Sequence, residues 1–161
     1  MALDGVKETR EVAREDLVET VKALGDEGYH MCLDVTAVDY LAYEAPRELP
    51  VGVEAERFEV VVTLISHAAR ERLRLRVQVP ESEPVVPSLF DVHPGTEALE
   101  REVFDLFGIR FAGHPDLRRI LMPDDWQGHP QRKDYPLEGP GEMLMENPLD
   151  WLNLKHREEI E

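Results

Sequence analysis

The chain has 161 residues, with 18 Lys plus Arg against 34 Asp plus Glu, a net charge of −16 and a single cysteine, Cys32. A chain of this size buries a core without staples, and one Cys permits neither an intrachain disulfide nor an iron–sulfur cluster held by this chain alone. The acidic balance disfavours unaided binding to nucleic acid or anionic lipid, and no apolar run approaches the length that spans a bilayer, so membrane contact is expected only through a protein partner.

Val6 to Val12 reads either as a short edge strand or as the lead-in to a helix. Leu17, Val21 and Leu24 then recur at helical spacing, broadened by Val18, with Glu15 and Asp16 in the first turn and Gly25 or Gly28 at the end. Met31, Leu33, Val35 and Ala37 alternate with Cys32, Asp34 and Thr36, which predicts a strand. Pro46, Pro50 and Gly52 open a loop of about fifteen residues, long enough to be mobile or held from outside the domain. Phe58 to Ile65 is a β-branched run, and residues 72–79 alternate throughout, with Leu73, Leu75, Val77 and Val79 inward. The short SHAARE connection makes the pair an antiparallel hairpin.

A second helix is expected from Thr96 to Phe107, burying Leu99, Val103 and Leu106 and capped by Gly108. After Gly108 the chain becomes rich in Gly and Pro, yet carries Phe111, Leu117, Ile120, Leu121, Trp126 and Tyr135, all of which need burial somewhere. Residues 108–142 read as an ordered, irregular extension, and Met143 to Glu161 as a docking tail. The fold class is α+β, a small mixed sheet packed against helices in two layers. A domain over 1–107 is followed by a partner-docking segment and tail over 108–161.

Reactive constellations are sparse. There is no glycine-rich dinucleotide or phosphate loop and no serine in a nucleophile elbow. Cys32 and His30 fall on one face of a strand by alternation, but a bland thiol is the simpler reading. Glu100, Glu102 and Asp105 permit acid–base work on spacing alone, with a salt-bridged helix face as the ordinary alternative. Gly113-His114-Pro115-Asp116 and Gly128-His129-Pro130, with Asp124 and Asp125, allow a metal site to be drawn. The spacing is not that of a compact metal module, and a His before Pro commonly holds a turn by bonding a backbone carbonyl. No catalytic, cofactor-binding or metal-binding residue is therefore assigned. Arg118, Arg119, Arg132 and Lys133, with Trp126 and Tyr135, are the candidate contacts with a partner protein, surface salt bridging being the alternative.

Residues 100–121, EREVFDLFGIRFAGHPDLRRIL, continued by MPDDWQGHPQRKDYPLEG, resemble the 30 kDa subunit family of respiratory complex I, the bacterial NADH-quinone oxidoreductases included. CLDVTAVDYL at 32–41, RFEVVVTLIS at 57–66 and RLRLRVQVP at 72–80 also fit, so the resemblance covers roughly residues 6 to 140. Two departures are Gln131, where many relatives have Leu, and a shorter N-terminus. The resemblance implies a peripheral subunit of the hydrophilic arm at the cell membrane, on the cytoplasmic side. It would pack against the quinone-site (49 kDa-like) subunit and neighbouring iron–sulfur subunits. It also implies no cofactor and no catalytic residue on this chain, with FMN and clusters on partners of an enzyme that couples NADH-to-quinone electron transfer to proton translocation. The same role in a related ferredoxin-, F420H2- or hydrogenase-linked complex is the alternative.

Overall fold

The computed structural model describes residues 6–136. The expected tail from Met143 to Glu161 lies outside the described residues. In chain order the elements are β1 (Val6–Glu11), α1 (Leu17–Asp26), β2 (Met31–Asp39), β3 (Phe58–Ser66), β4 (Glu71–Val79), β5 (Val85–Pro87), α2 (Glu97–Phe107) and β6 (Arg110–Ala112). The open choice at the start resolves as a strand. The main sheet has the order β1-β4-β3-β2, with β1 parallel to β4 and the other two pairings antiparallel, and β5 and β6 form a separate parallel pair.

Phe58, Val60, Val62 and Leu64 of β3 and Leu73, Leu75, Val77 and Val79 of β4 point to one face, as the period of two requires. There they meet Leu17, Val21 and Leu24 of α1 and Val103 of α2 in a single core, so both helices cover the same face of the sheet. Gly28, two residues past the end of α1, has a φ of 102° that suits a residue without Cβ, while Gly25 lies inside the helix.

Three local features depart from the simple sequence pattern. Met31 and Leu33 do not face the core: they are 48% and 37% exposed. The β2–β3 register shifts between Cys32 and Asp34, so Leu33 is an extra residue, a β-bulge that reverses the alternation. Cys32, opposite inward-facing Leu64, packs against the core instead, whereas His30 is exposed, and the two do not form a pair. Secondly, α2 buries Val103 fully but Leu99 and Leu106 only partly, and its other fully buried side chains are Glu100 and Asp105. The carboxylates are thus not a solvated, salt-bridged face. Glu102 alone is exposed, and Arg101 pairs with Glu97. Thirdly, the long loop is held by its own domain. Arg47 lies over the Tyr40 ring at 3.9 Å and donates to the Glu56 carbonyl (2.8 Å) and to Gln78 Oε1 (3.1 Å).

Candidate functional site

After β6 the chain runs from Gly113 to Pro136 as turns and bends without helix or strand, a strap laid across the domain. Two buried carboxylates clasp it. Asp105, in the last turn of α2, is 0% exposed. Its Oδ1 accepts from Arg119 Nη1 at 2.6 Å, and its Oδ2 accepts the N–H groups of Ile120 (3.1 Å), Leu121 (2.8 Å) and Met122 (2.8 Å). Burial alone would raise the carboxyl's pKa, but the amides and Arg119 outweigh it and hold the group below the usual aspartate range.

The second clasp is Asp39 at the end of β2. It accepts from Arg57 Nε (3.1 Å) and Nη2 (2.9 Å), from the Leu41 N–H (2.9 Å) and from the Lys133 N–H of the strap (2.9 Å). Here too burial pushes the pKa up, while the Arg57 and backbone hydrogen bonds bring it below the usual range. Arg57 reaches the strap directly at Asp134 (2.8 Å) and also pairs with Glu81.

Between the clasps, the strap satisfies the carbonyls left open at the end of α2. Beyond the helix's own cap bond from Gly108 N–H to Phe104, the strap's His129 Nδ1 donates to the Asp105 carbonyl (2.9 Å), Gln131 N–H to Leu106 (2.9 Å) and Arg132 Nε to Phe107 (2.6 Å). Two guanidinium groups here also oppose the negative end of the helix dipole. The close approach needs glycine: a Cβ on Gly108, whose φ is 75°, would sit 2.6 Å from the His129 ring. Earlier in the strap, Arg101 donates to the carbonyls of Arg118 (3.2 Å) and Arg119 (3.0 Å).

The candidate contact residues therefore divide. Arg119 and Arg132 turn inward and fix the strap to α2. Arg118 is mostly exposed and pairs with Asp116 at 2.8 Å. Lys133 docks through its backbone while the residue is exposed. Trp126 and Tyr135 are half-buried, with Trp126 Nε1 and the Tyr135 hydroxyl enclosed and lacking a hydrogen-bond partner among the described residues. Both His-Pro pairs hold turns. His114 Nε2 bonds the Glu97 carbonyl at 3.1 Å while Nδ1 accepts from the Asp116 N–H at 3.0 Å, and His129 bonds Asp105 as above.

The sequence reading missed Asp39, Arg57 and the clasping role of Asp105. One signal was available for Asp105: an acidic residue in the last turn of a helix opposes the dipole and needs other contacts to hold it there.

Among the described residues no group of three or more His, Cys, Asp or Glu is placed to hold a metal ion. Among the same residues no helix is long and apolar enough to cross a membrane. The charged groups brought together here are spent on fixing one segment of backbone against another. This is the chemistry of a small α+β scaffold module within a larger assembly, with no assembled catalytic constellation among the described residues.

The comparisons with known proteins name that assembly. The family described as "Respiratory-chain NADH dehydrogenase, 30 Kd subunit" matches residues 10–141, domain and strap together. An NADH-quinone oxidoreductase subunit of Trichlorobacter lovleyi is 50% identical over 131 residues, covering 81% of this chain and 75% of the relative. Its counterpart in Geobacter sulfurreducens is 48% identical over 130 residues, covering 80% and 74%. Among solved structures, a trypsin-resistant fragment of Nqo5 is 37% identical with a TM-score of 0.61, covering 71% of this chain and 86% of the fragment. A chain of the archaeal membrane-bound sulfane sulfur reductase shares the fold, with a TM-score of 0.66 at 22% identity over 94% of this chain and 79% of that one. The chain belongs to the 30 kDa subunit family of the respiratory-chain NADH dehydrogenase. It is a homologue of Nqo5 and of the matching bacterial NADH-quinone oxidoreductase subunits, a structural part of the hydrophilic arm of complex I.

Proposed function

We propose that this chain is a cofactor-free scaffold of a proton-translocating NADH:quinone oxidoreductase, at the cytoplasmic side of the membrane. It packs against the quinone-site (49 kDa-like) subunit and neighbouring iron–sulfur subunits through the segment after residue 108. FMN and the clusters reside on those partners, and membrane contact is indirect. The observation that carries this reading is the strap itself. It lies within the family match and is held to the domain by two buried carboxylates, yet adds little to the core beyond partly buried Leu117. A segment fixed so firmly while contributing so little burial is organised for contact with something else. Arg118 and Lys133 are its exposed cations, and Arg119 and Arg132 set its path.

The test is to tag the chain in its native membranes, solubilise them gently and identify what co-migrates. Flavin- and NADH-binding partners together with a quinone-reducing activity support the proposal. A ferredoxin-, F420H2- or hydrogenase-type partner would instead assign the same scaffold role to a related complex.

A further inference from the structure

Core stability does not account for how the strap is shaped around Asp105. A fully buried carboxylate collects three successive amides, those of Ile120, Leu121 and Met122, on one oxygen. Charge-assisted hydrogen bonds of this kind are strong and directional, and three in a row fix the local backbone. The result is that Ile120 and Leu121 stand 39% and 59% exposed, two branched aliphatic side chains held away from the core. An anchor already fixed in its bound conformation loses little entropy when it seats.

Charge selects the kind of occupant. The strap, residues 113–136, holds four basic and four acidic side chains and is neutral overall, on a chain whose net charge is −16. A partner surface carrying carboxylates meets repulsion over most of this chain and least at the strap. Arg118, which directly precedes the inward-turned Arg119, is exposed, and its ion pair with Asp116 is itself open to solvent and exchangeable.

We propose that Ile120 and Leu121, held outward by Asp105, anchor this chain in an apolar socket of an adjacent protein subunit, with Arg118 meeting a carboxylate at the socket's rim. The proposal rests on the subunit role above. Asp105 acts as a positioning residue.

The experiment compares tagged wild-type chain with Leu121→Glu, Leu121→Met and Val51→Glu, each expressed in cells lacking the native copy and recovered with its complex from membranes. Leu121 joins the Asp105 cluster only through its backbone, so Leu121→Glu should melt like the wild type as a full-length isolated chain. Its recovery in the complex should fall by about tenfold or more, the scale of losing an interface hot spot. Leu121→Met should assemble. Val51, fully exposed on the 41–57 loop, is the control for exposure alone, and Val51→Glu should assemble normally. Asp105→Asn should speed hydrogen exchange at the amides of 120–122 and lower assembly, whereas Leu121→Glu should lower assembly with exchange unchanged. Undiminished assembly of Leu121→Glu beside an assembling wild type overturns the anchor and leaves the subunit reading intact. So does an equal loss with Val51→Glu. Failure of the wild-type chain to enter any complex overturns the subunit reading itself.

Discussion

Arg119 bonds Asp105 twice, through the carboxylate (Nη1 to Oδ1, 2.6 Å) and through the same residue's backbone carbonyl (3.2 Å), while its Nη2 donates to the Gly128 carbonyl (2.9 Å). One guanidinium thus joins the end of α2 to the far part of the strap, fourteen and nine residues away in sequence on either side of it. The pair is nearly dry, with Arg119 15% and Asp105 0% exposed. Removing one partner of such a pair strands the other, a loss of about 3–5 kcal/mol. Arg119→Ala should therefore destabilise the isolated chain and raise protease cleavage between residues 113 and 136. Denaturant melts and limited proteolysis check this. An unchanged melt with unchanged cleavage would show that Arg119 matters only between subunits.

Acid should loosen the strap in a defined order. Burial, the first cause, holds the His129 imidazole below its ordinary pKa of 6.5, and the neighbouring Arg132 and Arg119 charges act in the same sense against the Asp105 interactions. A depressed folded-state pKa means that the folded chain binds fewer protons than the unfolded one, so stability falls as pH falls. The His129 contribution is complete above 6.5 and is lost as pH drops from there through the folded value. His93, lowered by burial, adds to the same slope. Asp105 follows below its ordinary 3.8, where its stabilising contribution disappears as the carboxylate protonates. His129→Gln keeps a donor for the Asp105 carbonyl and should flatten the slope of stability between pH 6.5 and the acid limb. Melts from pH 8 to 4 that show the same slope in both proteins would place the proton elsewhere.

Periodicity carried the core of this fold into view, and failed where a local feature overrode the period. The inward residues of β3 and β4 and the stripe of α1 follow directly from alternation and helical spacing. Met31 and Leu33 face solvent because a bulge at Leu33 shifts the phase, and no residue type nearby announces it. On α2 the apolar spacing hid two buried carboxylates, since burial of Glu100 depends on Ser88 and Leu89, which reach it from another segment, as well as on Thr96 at the start of the helix. The strap's importance was legible from its Gly, Pro and aromatic content. The direction of its charges was not. Whether Arg119 faces in or out is decided by Asp105, fourteen residues earlier, and only the folded chain brings them together.

Two glycines should respond in opposite senses to the same substitution. Gly25 lies in α1 with nothing within 4 Å of a new Cβ, so Gly25→Ala should stabilise by about 0.5–1 kcal/mol through helix propensity and a less disordered unfolded state. Gly108 has φ of 75° and would place its Cβ against the His129 ring and 2.8 Å from Arg132 Nη2. Gly108→Ala should cost at least about 1–2 kcal/mol in strain alone and displace the strap as well. Thermal melts give the signs. A neutral Gly108→Ala would mean that the His129 contact yields freely and that the strap is not clasped at this point.

The lone thiol offers a chemical probe of the bulge. Cys32 faces the core opposite Leu64, and burial, the leading cause, pushes its pKa from 9.0 up to about 11, against a weak backbone hydrogen bond to Asp34 that favours the thiolate. Thiolate is the reactive form, so a two-unit rise cuts its population near pH 8 by about a hundredfold, before access is considered. Alkylation by iodoacetamide at pH 8 should therefore be at least tenfold slower for the folded chain than for the chain in denaturant, which restores an ordinary thiol. Deleting Leu33 removes the extra residue and leaves Cys32 opposite Leu64 and Asp34 opposite Thr63 as consecutive pairs, so Cys32 should stay on the inner face. Its thiol should then react as slowly as in the wild type if the sheet still forms, as circular dichroism would report. Rapid labelling of the folded wild type would contradict the inward placement of Cys32, and with it the bulge that explains why Met31 and Leu33 face solvent.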